Sequence, residues 1–556
     1  MTMSVNRREF VGLTTMAVVE RSAVVADEPQ SRLTSSIARR DPATTHDAGL
    51  FLFVDDDEIQ QVTNLHRERG VIKPLDQPVV FPENPNYESH AAWGNVIRDE
   101  DGVFRMWYCA LMLGDRGNGH HEMARAGVWG RGNDYGFHPR SAYDVREINA
   151  SLIKYAESKD GIHWHKPELG LVSFRGSKQN NIVMNGQRIA EQTGGAVTNT
   201  DGCTVVRDDQ ETNPRRRYKM ISHWESIHCH DNKSVSGSLE RSQEKIKWFH
   251  AARGKYITFS ADGIHWDQPF QKIRFPDGGG DRFLVVPDHR HRRWCGYSRV
   301  AEHSAAAFSY STNLTDWSPP VRERLMTTQA LKMPKVECLV PFNYGNQDLG
   351  VPVGMDKPSG SIGGARAMVP FLASHRDGKP WQFVGDATPL LPMGPPSSYY
   401  ASGVVPLHNE PFIVGDQLLI YFNAFSRYQN PPCPFGTRTI GVATLRRDGF
   451  AGMQHLKASP TGTLITKPFR LTSKRVDVNV QIPSSGGQLT AALLDESETI
   501  IPGCDFDQCT PITQDAVRAS LNWNQGAMIE KFVGQKVRIA FRLDGDITFY
   551  AFAITT

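Results

Sequence analysis

The stretch Ser158-Lys159-Asp160-Gly161-Ile162-His163-Trp164 returns as Ser260-Ala261-Asp262-Gly263-Ile264-His265-Trp266. A weaker copy is Ser311-Thr312-Asn313-Leu314-Thr315-Asp316-Trp317, and another is Ser374-His375-Arg376-Asp377-Gly378-Lys379-Pro380-Trp381. The last trace is Arg447-Asp448-Gly449-Phe450. Each copy follows a strand-like run: LIKYAES, YITFSA, AAFSYST, AMVPFLAS and IGVATLRR. Asp-Gly supplies a turn that needs positive φ, and the tryptophan can fold back on the strand it leaves.

Two further strand-like runs precede every copy, at 91–99 and 104–111, 203–209 and 218–224, 282–289 and 293–299, 337–344 and 349–355, and 402–408 and 417–425. Each unit therefore reads strand, hairpin, strand, loop, strand, turn, with an outer strand to follow. One such sheet cannot bury both faces by itself, whereas sheets set radially bury them against one another. The expectation is an all-β chain with a five-bladed β-propeller over residues 47–458, in which FLFVDDD (51–57) completes the last blade. Residues 459–468 read as a linker. Beyond them, short alternating runs such as VDVNVQI, KVRIAFRL and ITFYAFAI, with the turn Asp544-Gly545-Asp546, predict a jelly-roll-like β-sandwich, giving a second domain at 459–556.

Charge is balanced, with 62 Lys+Arg against 60 Asp+Glu. This removes the electrostatic footprint of a nucleic-acid or anionic-membrane binder. No apolar run approaches the roughly 18 residues of a membrane span. Cys109, Cys203, Cys229, Cys295, Cys338 and Cys433 show no metal-ligand spacing, while Cys504 and Cys509 are close enough for either a local disulfide or two free thiols. Residues 1–46 read as a signal and polar tail. Asn6-Arg7-Arg8-Glu9-Phe10-Val11 has the form of a twin-arginine signal, so export to the periplasm or beyond is expected.

In a propeller the first strand of each blade lines the central channel. Its entry end carries Glu88, Asp201, Asp281 and Glu337 in the first four units, and Tyr399-Tyr400 in the fifth. Convergent carboxylates raise one another's pKa, which lets one stay protonated as a general acid beside an ionised partner. Glycoside hydrolysis needs such a pair. These four acids are the candidate catalytic residues, and the same carboxylates could hold a structural Ca²⁺. His90, Trp93, Arg282, Arg299, Arg366, Tyr399 and Tyr400 are the candidate substrate contacts. The insertion 112–151, with His120-His121, is a candidate pocket wall. His163 and His165 flank Trp164, which alternation throws to the other side, so this group reads as turn packing. His228 and His230 around Cys229 are a weaker metal-like group.

Leu52-Phe53-Val54-Asp55-Asp56, Trp93-Gly94-Asn95-Val96, the Asp-Gly turns, Gly394-Pro395-Pro396, the run Ile440–Phe450 and Gly462–Phe469 together resemble a known family over about residues 49 to 556. It is the group of glycosyl-hydrolase-like five-bladed propellers related to glycoside hydrolase families 32, 43 and 68, of a planctomycete-type subgroup, with a C-terminal β-sandwich. The resemblance implies three acids from successive blades. Glu88 would be the nucleophile or base, Asp201 the transition-state stabiliser, and Asp281 or Glu337 the general acid. The chain has no Asn-Asp-Pro at unit one. Arg207-Asp208-Asp209 and Glu337-Cys338-Leu339 are the nearest approaches to Arg-Asp-Pro and Glu-Cys-Pro, so no fructosidase specificity is implied. A glycosidase acting on an oligo- or polysaccharide, with no cofactor, is the expectation. A non-catalytic carbohydrate-binding propeller or a sugar lyase or epimerase are the alternatives.

Overall fold

The repeated heptapeptide is a self-contained hydrogen-bonded turn. In unit one the Ser158 hydroxyl accepts from the amides of Asp160 and Gly161, and Asp160 Oδ1 accepts from those of Ile162 and His163. His163 Nδ1 lies 2.7 Å from Asp160 Oδ2, and Trp164 Nε1 donates to the carbonyl of Gly161. Unit two repeats every one of these bonds from Ser260 to Trp266. Gly161 and Gly263 have φ of +78° and +77°, where a side chain would be strained. In unit three Asn313 takes the aspartate's place, and Leu314 adopts φ of 67° where glycine stood. The histidines are thus turn residues, as their alternation with Trp164 implied.

The computed structural model describes residues 49–83, 88–112, 151–194, 197, 199–225, 252–275, 283–299, 305–324, 335–356, 367–385, 388–407, 409–426, 438–456, 459, 461–524 and 527–555. The export signal, the 112–151 insertion with His120-His121, the His228–His230 group, and Asp281, Arg282 and Arg366 lie outside them, apart from the insertion's end residues.

The chain is all-β. Strands Glu88–Arg98, Phe104–Met112, Ser151–Ser158 and Ile182–Met184 pair antiparallel in chain order. So do Asn199–Arg207, Tyr218–Glu225, Gly254–Ser260 and Gln271–Lys272. The third group is Phe283–Asp288, Arg293–Arg299, Ala305–Ser311 and Val321–Arg324. In the fourth, Lys335–Tyr344 pairs with Gln347–Asp356, whose other edge takes two short strands, Ala367–Pro370 and Ala373–His375. The fifth runs Gly403–Pro406, Gln417–Phe425, Arg438–Arg446.

Each turn leans on the group before it. The Gly161 carbonyl accepts from Tyr421 of the fifth group, and that of Gly263 from Trp107 of the first. Trp317 packs 4.6 Å from Phe275, which follows the second group's outer strand, and Trp381 lies 6.3 Å from Phe308 of the third. Asp448 accepts from the hydroxyl of Tyr344 in the fourth. The five contacts return to their starting point.

Two expectations about the ends of this array are corrected. Leu50–Leu52, the start of the FLFVDDD stretch, does not complete the last unit; it pairs with Thr548–Thr555 near the C-terminus. Its residues alternate between two apolar clusters, Phe51 in one and Leu50 and Leu52 in the other. An outer strand of a blade would leave one of those faces in water. The outer edge of Arg438–Arg446 is taken instead by Lys73–Pro74 and a bridge from Val80 to Ile440. Proline is tolerated at such an edge, where its missing N–H is not needed. The supposed linker is also structured. Thr461–Thr466 is a strand between Ile59–Thr63 and Lys536–Asp544, with strict in-out alternation.

The C-terminal strands therefore share their sheets with the N-terminal ones. One sheet combines Leu50–Leu52, Leu65–Arg69, Ala451–His455, Thr548–Thr555, Arg475–Gln481 and Ala516–Ser520. The other combines Ile59–Thr63, Thr461–Thr466, Lys536–Asp544, Phe469–Arg470 and Gln488–Leu494. One buried cluster, including Val478, Leu489, Phe541 and Phe552, draws side chains from both sheets. Cys504 and Cys509 are buried free thiols beside it.

Candidate functional site

The first strands of units one, two and four share a defect at their entry ends. In the first, register passes from Glu88 opposite Met112 to His90 opposite Leu111, so Ser89 is an extra residue. In the second it passes from Thr200 opposite Trp224 to Cys203 opposite Ser222, with Asp201-Gly202 set against His223 alone. In the fourth it passes from Val336 opposite Gly354 to Cys338 opposite Val353, and Glu337 is the extra residue. A β-bulge bends its strand and re-aims a side chain out of the pleat, and such bulges gather beside active sites. Three of the four predicted acids stand at or next to one.

Glu88 is 2% exposed. Its carboxylate turns toward the third strand of its own unit, where Lys154 Nζ lies 3.1 and 3.2 Å from its two oxygens. The amide of Glu83 donates to it at 3.1 Å. Burial pushes the Glu88 carboxyl above the usual range; Lys154 pulls it down, the charge of Glu83 pushes it up, and burial wins. Beside it, Tyr108 is raised well above an ordinary phenol, chiefly by burial and then by the charge of Glu88. Glu83 also reaches Lys154 and Lys166, so two acids and two ammonium groups form one chain of pairs. Such an arrangement strengthens the carboxyl's hold on a proton and leaves an ammonium group beside the anion that forms when the proton is given up.

Glu337 is 1% exposed, and the hydroxyl of Tyr297 donates to its backbone carbonyl. Asp201 lies within its strand, but its side chain, like those of His90 and Arg299, is outside the described set. Trp93, expected at the mouth, is buried. It takes φ of 56° in a second bulge, its amide donates to Asn423 Oδ1 at 2.7 Å, and its ring lies 5.7 Å from that of Phe425, with Arg438 beside both. Tyr399 is packed as well, its hydroxyl donating to Leu75 and its ring stacked on Phe422, with half-buried Tyr400 edge-on to it. The structure therefore groups these tyrosines with the strap at 72–75, not with Glu88.

Three polar residues at this end escaped the sequence reading. Lys154 was hidden inside the strand-like run LIKYAES, where a lone lysine in an otherwise buried pattern was the available signal. Glu83 lies in a proline-rich loop that offers no periodicity. Arg438 is 2% exposed and sits at the bridge that joins units five and one, Arg438 opposite His90. Its guanidinium lies over the rings of Trp93 and Phe425.

No family model matches the chain, and no curated protein sequence matches it. Among solved structures, a fructofuranosidase variant from Schwanniomyces occidentalis complexed with fructosylnystose is similar at 12% identity and a TM-score of 0.37, over 86% of this chain and 96% of that one. A β-1,2-mannobiose phosphorylase from Listeria innocua is similar at 12% identity and a TM-score of 0.39, over 69% and 97%. An exo-β-1,3-galactanase from Phanerochaete chrysosporium is similar at 7% identity and a TM-score of 0.35, over 88% and 100%.

Proposed function

We propose that this chain is an exported glycoside hydrolase in which a five-bladed β-propeller carries the catalytic acids and the two C-terminal sheets form a β-sandwich. The closed circle of turn-to-unit contacts supports the propeller, because only a ring returns the fifth contact to the first unit. The observation that carries the function is the bulge repeated at Glu88, Asp201 and Glu337. A turn aspartate has no need of a bulge, whereas acids brought from separate strands onto one sugar do.

In this reading Glu88 is the proton donor. Burial raises its affinity for a proton, the Lys154 ammonium offsets the negative charge left on Glu88 when the proton leaves, and Glu337 or Asp201 supplies the second carboxylate. This departs from the order that the family resemblance implies, in which the first acid is the nucleophile or base. The substrate is an oligo- or polysaccharide, and the twin-arginine form of Asn6–Val11 accounts for export.

Purified protein assayed on fructans, arabinans, xylans, galactans and sulfated algal glycans, with and without inorganic phosphate, tests the reading. Glu88→Gln and Glu337→Gln should each lower kcat/KM by about 10² or more. The pH profile should have a basic limb that Glu88→Gln removes. Release of sugar phosphate in place of free sugar would convert the hydrolase to a phosphorylase with the same acid. Wild-type protein that binds one glycan and cleaves none would replace the enzyme by a carbohydrate-binding protein.

A further inference from the structure

A second site lies at the opposite end of units three and four. There the hairpins 288–293 and 343–348 and the turn Asp377–Trp381 enclose a cavity of about 400 Å³. That is within the range of small-molecule sites. Asn343, on its wall, is six residues along the strand from Glu337, about 20 Å at 3.3 Å per residue. The cavity is therefore separate from the candidate catalytic acids.

The turn that borders it departs from the repeat in its own way. In units one and two the turn aspartate caps its own backbone and holds the following histidine. In unit four Lys379-Pro380 replaces Ile-His, and the Asp377 carboxylate reaches across to unit three instead, 3.4 Å from Arg290 and 3.8 Å from His291. Trp381 stacks on His375 at 5.0 Å, forming with Phe308 an aromatic floor. Above it stand fixed acceptors. Asp348 accepts from Asn343 at 2.7 Å and pairs with Arg290 and His375, and Asp288 accepts from Arg293 at 2.8 Å. Arg293 also lies flat over half-buried Tyr310, 3.5 Å from its centroid.

We propose that this cavity binds one unit of a neutral saccharide. Its acids Asp288, Asp348 and Asp377 are each already held by a cationic or imidazole partner, Arg293, Arg290 with His375, and Arg290 with His291, while Lys379 is bonded to Asp57, so no carboxylate is left over to capture an ion. Carboxylates held by arginine and histidine keep lone pairs for hydroxyl donors, and the apolar floor accepts the C–H face of a pyranose or furanose. The site anchors a chain at a distance from the catalytic end and does not depend on catalysis there.

Calorimetric titration of the full chain with mannose, galactose, fructose, arabinose and xylose tests this. At least one sugar should bind in the millimolar range. Asp348→Asn and Tyr310→Ala should each weaken it about tenfold, near 1.4 kcal/mol, in protein that still unfolds in one cooperative step. Glu88→Gln and Glu337→Gln should leave it intact. If Asp348→Asn unfolds, Lys379→Glu on the exposed rim supplies the same comparison, with weaker binding expected. No binding by any of the five, or binding lost in the Glu88 and Glu337 variants but kept in the cavity variants, overturns the proposal.

Discussion

Glu88, buried, and Asp348, partly buried, are both carboxylates with cationic partners, yet their affinities for a proton are shifted in opposite directions. At each, burial is the largest influence and favours the neutral form. At Asp348 hydrogen bonds from His375 and Asn343 and the charge of Arg290 outweigh it, and the carboxyl is held below its usual range. At Glu88 one ammonium group and one backbone amide do not suffice, because Glu83 adds a like charge. The number and sign of the neighbours, set against depth, decide in which direction the proton affinity of such an acid moves.

The largest effect expected from breaking this contrast is at Lys154, itself 4% exposed. Lys154→Met leaves Glu88 without its counter-charge, so at a pH above the one at which Glu88 ionises the fold should lose about 3–5 kcal/mol. Adding Glu88→Gln should restore most of the loss, since the charge that needed a partner is gone. Arg290→Met, at a half-exposed pair, should cost no more than about 1 kcal/mol. Urea denaturation of the four proteins measures this, and equal losses for Lys154→Met and Arg290→Met would erase the distinction.

The contrast was only partly legible in the sequence. The repeat was readable because Ser-x-Asp-Gly-x-x-Trp is a local device whose shaping bonds lie within seven residues. Entry-end acids were readable for the same reason, since the repeat gives their phase. The bulges were not, because an inserted residue changes pairing with a partner strand that only folding supplies. Lys154 was missed because strand alternation says which face a residue takes and not what awaits it there. The first N-terminal strand was misplaced because Leu50–Leu52 pairs with residues about 500 positions later in the chain, and a local apolar pattern carries no record of its partner.

Stability as a function of pH separates the two acids next. The Asp348 pKa is lowered on folding, so its contribution is present above its unfolded value near 3.8 and lost as pH falls through the lower folded value. Asp348→Asn should therefore reduce the loss of stability below about pH 4. Glu88 runs the other way. Its pKa is raised on folding, so its contribution is full below the unfolded value near 4.5 and declines as pH rises through the folded value. Glu88→Gln should remove that decline. Denaturant midpoints measured across this range should move in opposite directions for the two variants, and a shared direction would contradict the assigned states.

The smallest effect, and the most specific, is expected at Glu83. Its side chain is 45% exposed, so its influence on Glu88 is screened by solvent. Its backbone amide, which donates to Glu88, survives substitution. Glu83→Gln therefore removes the like charge together with the half-exposed pairs to Lys154 and Lys166, and the Glu88 pKa should fall while stability changes by about 1 kcal/mol. The basic limb of the activity profile should move to lower pH by the same amount, because the proton donor is the group being shifted. A limb that stays in place while Glu88→Gln abolishes activity would mean that Glu88 acts as an anion, and the roles of Glu88 and Glu337 would exchange.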